Sequence, residues 1–208
     1  MKVVVFGASG RVGSRVIELL LSEGDEVFAV VHSHDIFQGT PHLHVRKLDV
    51  HDAAAVAEVL ESAEAVVSTL SNWGSKQADV LASAMRAIIP AMTQNGIKRI
   101  VSLTGNAAFT PDDKPSLAQK TGRAMMLKIA PKVVADGEKH MAILRESGLD
   151  WTVVRSPVMN TLGKATYKLS AKLSGSMATI HRQAVAQAMV DELHDGTWLR
   201  QTPTIWRA

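Results

Sequence analysis

Val3-Val4-Val5-Phe6-Gly7-Ala8-Ser9-Gly10-Arg11-Val12-Gly13 begins with an unbroken β-branched and aromatic run and ends in a glycine-rich turn. Val12, Val16, Leu19 and Leu20 then recur at helical spacing with polar residues between them, so strand, glycine turn and helix follow one another directly. Gly24-Asp25 stops the helix, and a second apolar run at 27–31 completes a βαβ unit whose strands are apolar on both faces. A diphosphate suits such a turn. Glycines let the backbone come close, while the free N–H groups and the dipole of the helix N-terminus face the negative charge. The strand before and the helix after make dinucleotide binding the expected role, over a merely structural glycine turn.

Working outward, the same alternation continues to the end of the chain. Strands are expected at 43–48, 65–70, 99–103, 151–155 and near 203–206, and helices at 53–62, 76–94, 133–147 and 182–193. This pattern predicts one α/β domain over 1–208, built on a doubly wound, mostly parallel sheet, with any ligand lying outside the carboxyl ends of the strands. Two long connections, 105–131 and 156–180, break the rhythm and are candidates for functional loops.

Composition narrows the chemistry. The 208 residues include no cysteine, which excludes thiol catalysis, zinc ribbons, iron–sulfur clusters and disulfide frameworks, and makes the cytoplasm the expected location. Lys plus Arg exceeds Asp plus Glu by 23 to 20, a surplus without a polybasic tract, so no nucleic-acid partner is expected. No stretch approaches the ~18 apolar residues of a membrane span, and no membrane association is expected.

The glycine spacing is G-x-x-G-x-x-G, and other stretches agree with that departure from the common dehydrogenase fingerprint. Together with the turn, Lys47-Leu48-Asp49-Val50, Val67-Ser68-Thr69-Leu70-Ser71, Ile97-Lys98-Arg99-Ile100-Val101 and Leu144-Arg145-Glu146-Ser147-Gly148-Leu149-Asp150-Trp151-Thr152-Val153-Val154-Arg155 resemble the atypical short-chain dehydrogenases. Within them the chain is similar to the small NAD(P)H-binding branch that includes NmrA-like proteins, biliverdin reductase B and bacterial NADH-flavin reductases. The resemblance implies a Rossmann-like fold and a nicotinamide cofactor. It implies that Gly7, Ser9, Gly10, Arg11, Val12 and Gly13 hold the diphosphate and that Asp49 and Val50 meet the adenine. Leu70, Ser71 and Asn72 would run beside the cofactor, with Thr104 beneath the nicotinamide.

Cofactor choice turns on the end of the second strand, where an acidic residue would bind a ribose 2′-hydroxyl and a basic one a 2′-phosphate. His32-Ser33 stands there, with Asp35 beyond the strand end. His32 occupies a position where the relatives commonly carry Arg, which tilts the expectation from NADH towards NADPH, with Arg11 as second support.

The proton relay of most short-chain dehydrogenases uses Ser together with Tyr-x-x-x-Lys on one helix face. Here the only tyrosine, Tyr167, has Ala171 four residues on, and Gly105 stands where the family serine is expected. No catalytic side chain is therefore assigned. His140 is a possible acid but reads more readily as a helix-surface residue. His32, His34, His42, His44 and His51 crowd one region, where His42 and His44 read as outward-facing on an edge strand rather than as metal ligands.

Trp73, Met125, Met126 and Met159, with Val158, are the candidate lining for a flat ring. The 105–131 connection, rich in Lys and Arg, reads either as a lid or as an ordinary amphipathic helix. Hydride transfer to a flavin, quinone or similar flat conjugated acceptor needs no side-chain acid, because water supplies the proton, and that reaction is the expected function. The alternative is a non-enzymatic redox sensor that binds the dinucleotide and acts on a protein partner.

Overall fold

The computed structural model describes residues 1–32 and 40–208. In chain order the elements are β1 (Lys2–Phe6), α1 (Gly13–Ser22), β2 (Glu26–Val31), β3 (Leu43–Lys47), α2 (Ala53–Val59), β4 (Ala65–Ser68), α3 (Val80–Gln94) and β5 (Arg99–Gly105). They continue with α4 (Leu117–Ile129), α5 (Pro131–Glu146), β6 (Asp150–Ser156), β7 (Val158–Asn160), β8 (Lys168–Ser170), β9 (Thr179–His181), α6 (Arg182–Asp195) and β10 (Thr204–Trp206).

Val3, Val4, Val5 and Phe6 are fully buried because β1 is covered on both faces. Val3 and Val5 join α1 and α6 in one apolar cluster through Val16, Leu20, Val185 and Met189. Val4 and Phe6 join α2, α3 and α5 in the other through Val56, Met85, Ile88 and Leu144. The eight strands run β3-β2-β1-β4-β5-β6-β10-β8, parallel except for β8, which lies antiparallel to β10 at the edge. β1 pairs with both β2 and β4, so strand addition reverses there and the carboxyl ends of β1 and β4 open into the crevice where such sheets bind ligands. This is a Rossmann-like doubly wound α/β fold.

The two long connections contain structure that periodicity missed. The 105–131 connection forms α4, started by a capping box in which Ser116 Oγ accepts from Gln119 N while the Gln119 side chain accepts from Ser116 N. The 156–180 connection supplies β7, β8 and β9, of which β7 and β9 pair as a separate two-stranded sheet. Three-residue strands are too short to carry a recognisable alternation, and their partners are far away in sequence.

Some boundaries also shift. β4 stops at Ser68 rather than 70, α2 at Val59 rather than 62, and α3 starts at Val80 rather than 76. The late start of α3 has a tertiary cause: the buried Asp136 carboxylate on α5 accepts from Leu81 N at 3.0 Å and Ala82 N at 2.9 Å, capping the helix from another element. Burial pushes the Asp136 carboxyl above its ordinary range, and the two N–H groups work against that rise.

At the β3 edge, His44 stacks on Phe28 with ring centroids 4.7 Å apart and meets Glu26 Oε1 at 3.0 Å. His42 precedes the strand with φ +61°. The readings at Ser33, His34 and Asp35 lie outside the described residues.

Arg155, at the carboxyl end of β6, is buried and bonds Asp113 Oδ2 at 2.6 Å and the Thr202 carbonyl at 2.9 Å. It thereby ties the loop before α4 and the segment before β10 to the central sheet. Removing one partner of a buried pair strands the other charge, a loss of about 3–5 kcal/mol. Asp113→Ala should lower unfolding free energy by about 3 kcal/mol or more in urea melts. Arg145→Ala should cost less than about 1 kcal/mol, because its partner Asp112 is 80% exposed. Equal losses in the two variants would show that burial does not set the worth of the Arg155 pair.

Candidate functional site at the carboxyl ends of the parallel strands

The glycines of the turn do separate things. Gly7 has φ +77°, and a Cβ there would stand 2.9 Å from Thr69 at the exit of β4. At Gly13 a Cβ would reach 2.2 Å from the Gly7 carbonyl oxygen and 2.8 Å from Thr69 Oγ1, so only glycine lets α1 pack this closely on the turn. Gly10 is different: a Cβ there meets one atom, the Gly7 carbonyl oxygen at 3.0 Å, and the residue is exposed. Thr69 Oγ1 donates towards the carbonyls of both Phe6 (3.1 Å) and Gly7 (3.0 Å), joining the ends of β1 and β4.

Ser9 and Arg11 are exposed, whereas the Val12 side chain belongs to the apolar core, leaving its backbone as what the turn can offer. Val12 is also the N-cap of α1, which has no side-chain cap and no acidic residue in its first turn. The helix therefore presents backbone donors to an anion without a carboxylate competing for them.

Beyond β2 and β3 stand His32 and the Asp49-Val50 pair. Asp49 Oδ1 accepts from His51 N at 3.0 Å and contacts His51 Nδ1 at 2.7 Å, while His51 Nε2 meets Ser83 Oγ on α3 at 3.0 Å. The His51 backbone N–H, then its ring, holds the Asp49 carboxyl below the usual range, with a smaller attraction from His32. His32 and Asp49 thus share one corner of the crevice. Val50 is half-buried against the α2 and α3 side of the core.

After β4, Leu70 packs partly into the same core and Ser71 Oγ accepts from Trp73 N at 3.1 Å. Asn72 is buried, and its amide donates to the carbonyls of Ala78 and Lys132, both at 3.2 Å, pinning this loop to the start of α5. The Asn72 side chain is committed to the loop rather than to the crevice.

Thr104, near the end of β5, is backed by α5. A Cβ on Gly137 would lie 2.4 Å from Thr104 Oγ1, so the helix makes its closest approach where it has no side chain. Gly137 was not singled out from sequence. Its signal is a glycine inside a helical pattern, which costs about 1 kcal/mol against alanine and asks for a packing reason.

His140, one turn further on, is not a surface residue. It is fully buried, with Nε2 2.8 Å from Ser102 Oγ and Nδ1 without a partner. α5 is covered by β5 and α3 on one side and by α4 on another, so more of its circumference is buried than a two-layer reading allows. Tyr167 hydrogen-bonds Asp191 of α6 and packs on the α1 and α6 side of the core. Its phenol is pushed up, first by burial and then by Asp191.

Of the expected ring-binding residues, Trp73 is 62% exposed, Met125 64% exposed and Met126 half-buried. Val158 is exposed, but Met159 turns towards the α1 and α6 core, contrary to the expectation that both would line one pocket. Consecutive residues on β7 point to opposite faces, so only one of the pair can face outward. A cavity of about 230 Å³ is lined by Trp151, Arg155, Trp198 and Pro203 and by none of the glycine-turn residues.

Burial drives the His140 imidazole down to about 4. Its folded value lies below its unfolded value of about 6.5, so the unfolded chain binds the proton first. Stability is full above about pH 6.5 and falls as pH drops towards 4, by about 3 kcal/mol over the whole window. Urea melts between pH 7.5 and 4.5 should show this loss, and it should shrink by roughly 2 kcal/mol in His140→Gln. Parallel profiles would mean that His140 is not buried in its neutral form.

Solved structures match this fold along nearly the whole chain. A short-chain dehydrogenase/reductase from Veillonella parvula, in complex with NADP, shares 17% identity at a TM-score of 0.82, over 99% of this chain and 94% of that one. An oxidoreductase from Lactococcus lactis shares 14% at 0.81, over 100% and 91%. An anaerobillin reductase from Escherichia coli O157:H7 shares 20% at 0.77, over 100% and 97%. Residues 7–196, from the first glycine of the turn to the end of α6, match the family model described as NAD(P)H-binding. The chain belongs to that NAD(P)H-binding family.

Proposed function

We propose that this protein is an NAD(P)H-dependent reductase that passes hydride to a flat conjugated acceptor, a flavin or a quinone, in the cytoplasm. The observation that carries the reading is the approach of Gly137 to Thr104. The resemblance runs the proton-donating helix of the larger enzymes past this point, and at Gly137 α5 carries no side chain, the place of its Cβ lying 2.4 Å from Thr104 Oγ1. Tyr167 is engaged with Asp191, and His140 is enclosed in the core with Ser102. A flavin or quinone fits a site of this kind because the two electrons arrive with the hydride and the balancing proton comes from water.

In this reading Gly7, Ser9, Gly10 and Arg11, with the Val12 and Gly13 backbone, hold the diphosphate at the N-terminus of α1. Asp49 and Val50 meet the adenine, and Leu70 and Ser71 line the cofactor with the Asn72 backbone. Thr104 supports the nicotinamide, which when bound supplies the hydride. Trp73, Met125 and Met126 offer apolar surface to the acceptor, while Met159 acts from behind as packing. His32 beside Asp49 supports a lean towards NADPH, since an imidazole draws a 2′-phosphate when protonated. The NADP complex of the Veillonella neighbour supports the same lean.

Gly10→Val separates binding from folding, because its Cβ meets one backbone atom at 3.0 Å where Gly13 would meet one at 2.2 Å. Calorimetry should show NADPH and NADH affinity reduced at least about tenfold, a loss of about 1.4 kcal/mol, with unchanged circular dichroism. Wild-type affinity in Gly10→Val would remove the diphosphate from this turn.

The test of the activity is steady-state oxidation of NADPH and NADH against a panel of flavins and quinones, with Tyr167→Phe in parallel at saturating cofactor. Turnover is expected in wild type, and within roughly tenfold of it in the variant, since loss of a required general acid costs about 10²–10⁴-fold. A hundredfold drop in kcat would make Tyr167 the proton donor. No turnover with any acceptor would overturn the reductase reading in favour of a dinucleotide sensor with a protein partner.

A further inference from the structure

We infer that the cavity lined by Trp151, Arg155, Trp198 and Pro203 is a second small-molecule site, built for an α-amino acid with an apolar side chain. The cavity measures about 230 Å³ and lies on the α5 side of the sheet. Its walls are Arg145 in the last turn of α5, the β6 residues Trp151 and Arg155, the 198–203 segment before β10, and the loop residues Thr110, Asp112 and Asp113. Pockets for drug-sized ligands run to about 300–1,000 Å³, so this one suits a single small molecule. It shares no lining residue with the glycine turn, and the inference is independent of the reductase reading.

The observation that points to a ligand is the one-armed geometry of the pair between Arg155 and Asp113. Arg155 Nη1 donates to Asp113 Oδ2 at 2.6 Å and lies 3.5 Å from the Ala108 carbonyl, while Nε donates to the Thr202 carbonyl at 2.9 Å. Asp113 Oδ2 also accepts from Thr110 N at 2.6 Å. Arg155 Nη2 and Asp113 Oδ1 have no hydrogen-bond partner among the described residues. The two side chains are only 2% and 6% exposed, yet neither of these atoms is fully enclosed by protein. Both residues line the cavity, so the open side of each free atom faces it. A buried guanidinium and carboxylate commonly engage through both arms, and buried polar atoms are ordinarily paired. Here one donor and one acceptor of opposite charge remain side by side for a third group.

That pair of atoms selects the class of ligand. A bare carboxylate would satisfy Arg155 but confront the Asp113 oxygen, and a bare amine would do the reverse. An α-amino acid carries an ammonium and a carboxylate on neighbouring carbons, and forms charge-assisted hydrogen bonds with both. The other charges at the cavity are already balanced: Arg145 Nη2 donates to Asp112 Oδ2 at 2.9 Å and Arg200 Nη2 to Asp150 Oδ1 at 3.3 Å. A ligand without net charge therefore fits better than an anion or a cation. Trp151, Trp198 and Pro203 supply apolar wall for its side chain. The wall is held in place by Arg200, whose backbone takes φ +56°, uncommon for a residue other than glycine, and donates its N–H to the Trp151 carbonyl at 2.6 Å.

The competing arrangement is water bridging the two free atoms. Titration calorimetry on the full chain at neutral pH, with L-phenylalanine, phenylacetate and phenethylamine, distinguishes the two, because each analogue lacks one charged end. Expected are one L-phenylalanine per chain, a change in tryptophan emission from Trp151 and Trp198, and affinity at least about tenfold above that of either analogue. The same affinity is expected with NADPH present, since the cavity stands apart from the glycine turn. Asp113→Asn keeps the shape of the side chain and should weaken L-phenylalanine at least about tenfold with unchanged circular dichroism. If that variant folds poorly, the comparison of ligands on the wild type decides alone. No saturable binding up to about 10 mM would overturn the site and leave the pair to water. An analogue that binds as tightly as L-phenylalanine, or displacement of L-phenylalanine by NADPH, would overturn it too.

Discussion

Thr69 donates from one hydroxyl towards the carbonyl oxygens of Phe6 and Gly7, and everything at the ligand-binding end of the sheet is arranged around that contact. It holds the exit of β4 against the exit of β1, the two strands between which the order of strand addition reverses. Because a Cβ at Gly7 or Gly13 would come within 3 Å of Thr69, the hydroxyl can occupy this place only if both positions are glycine. α1 then starts directly on the turn with its first N–H groups uncapped by a side chain. The glycine motif is in this sense a packing constraint before it is a binding motif. Gly7 and Gly13 make the geometry, and Gly10 leaves it open to a ligand.

A second layer of buried polar contacts fixes the rest of the crevice. Asp136 caps α3 from α5, Asn72 fastens the loop after β4 to the beginning of α5, and Arg155 with Asp113 anchors the loop leading to α4. These groups come from elements far apart in sequence and are largely shielded from water, so each is satisfied only when the elements are correctly docked. The cost of leaving any one unpaired makes them specifiers of loop position. α4 contrasts with them. It buries no residue fully, leaves Leu117, Met125 and Ile129 facing outward, and is held mainly through Arg123 with Glu138 and Gln119 with the 173–174 carbonyls. Rigid strand ends thus stand beside a lightly attached helix, the arrangement in which a scaffold carries a more mobile element.

At Gly137, α5 is drawn so close to β5 that a Cβ would stand 2.4 Å from Thr104 Oγ1. His140 and Ser102 fill the space beneath with a hydrogen bond that the core encloses. This stretch of α5 is thus used for helix-to-sheet packing.

Outside the two long connections, the alternation of strands and helices, the doubly wound class of the sheet and the glycine turn between β1 and α1 were legible in the sequence. Buried parallel strands must be continuously apolar, covering helices must be amphipathic, and a close turn must be glycine; all of these are local requirements written residue by residue. His32 and Asp49 were placed for the same reason, as the residues that follow β2 and β3. The start of α3, the burial of His140, the inward turn of Met159 and the commitment of Asn72 to a loop were not legible. Each depends on a partner tens of residues away: Asp136 for α3, Ser102 for His140, the α1 and α6 core for Met159, Lys132 for Asn72. The short strands β7, β8 and β9 fall in the same class, since three residues have no period of their own and exist as strands only through pairing. Local pattern determined the main strands and helices and the glycine turn that joins the first of them. Only packing between distant elements decided which side chains remain available there, because a buried polar group is defined by its partner and not by its neighbours in sequence.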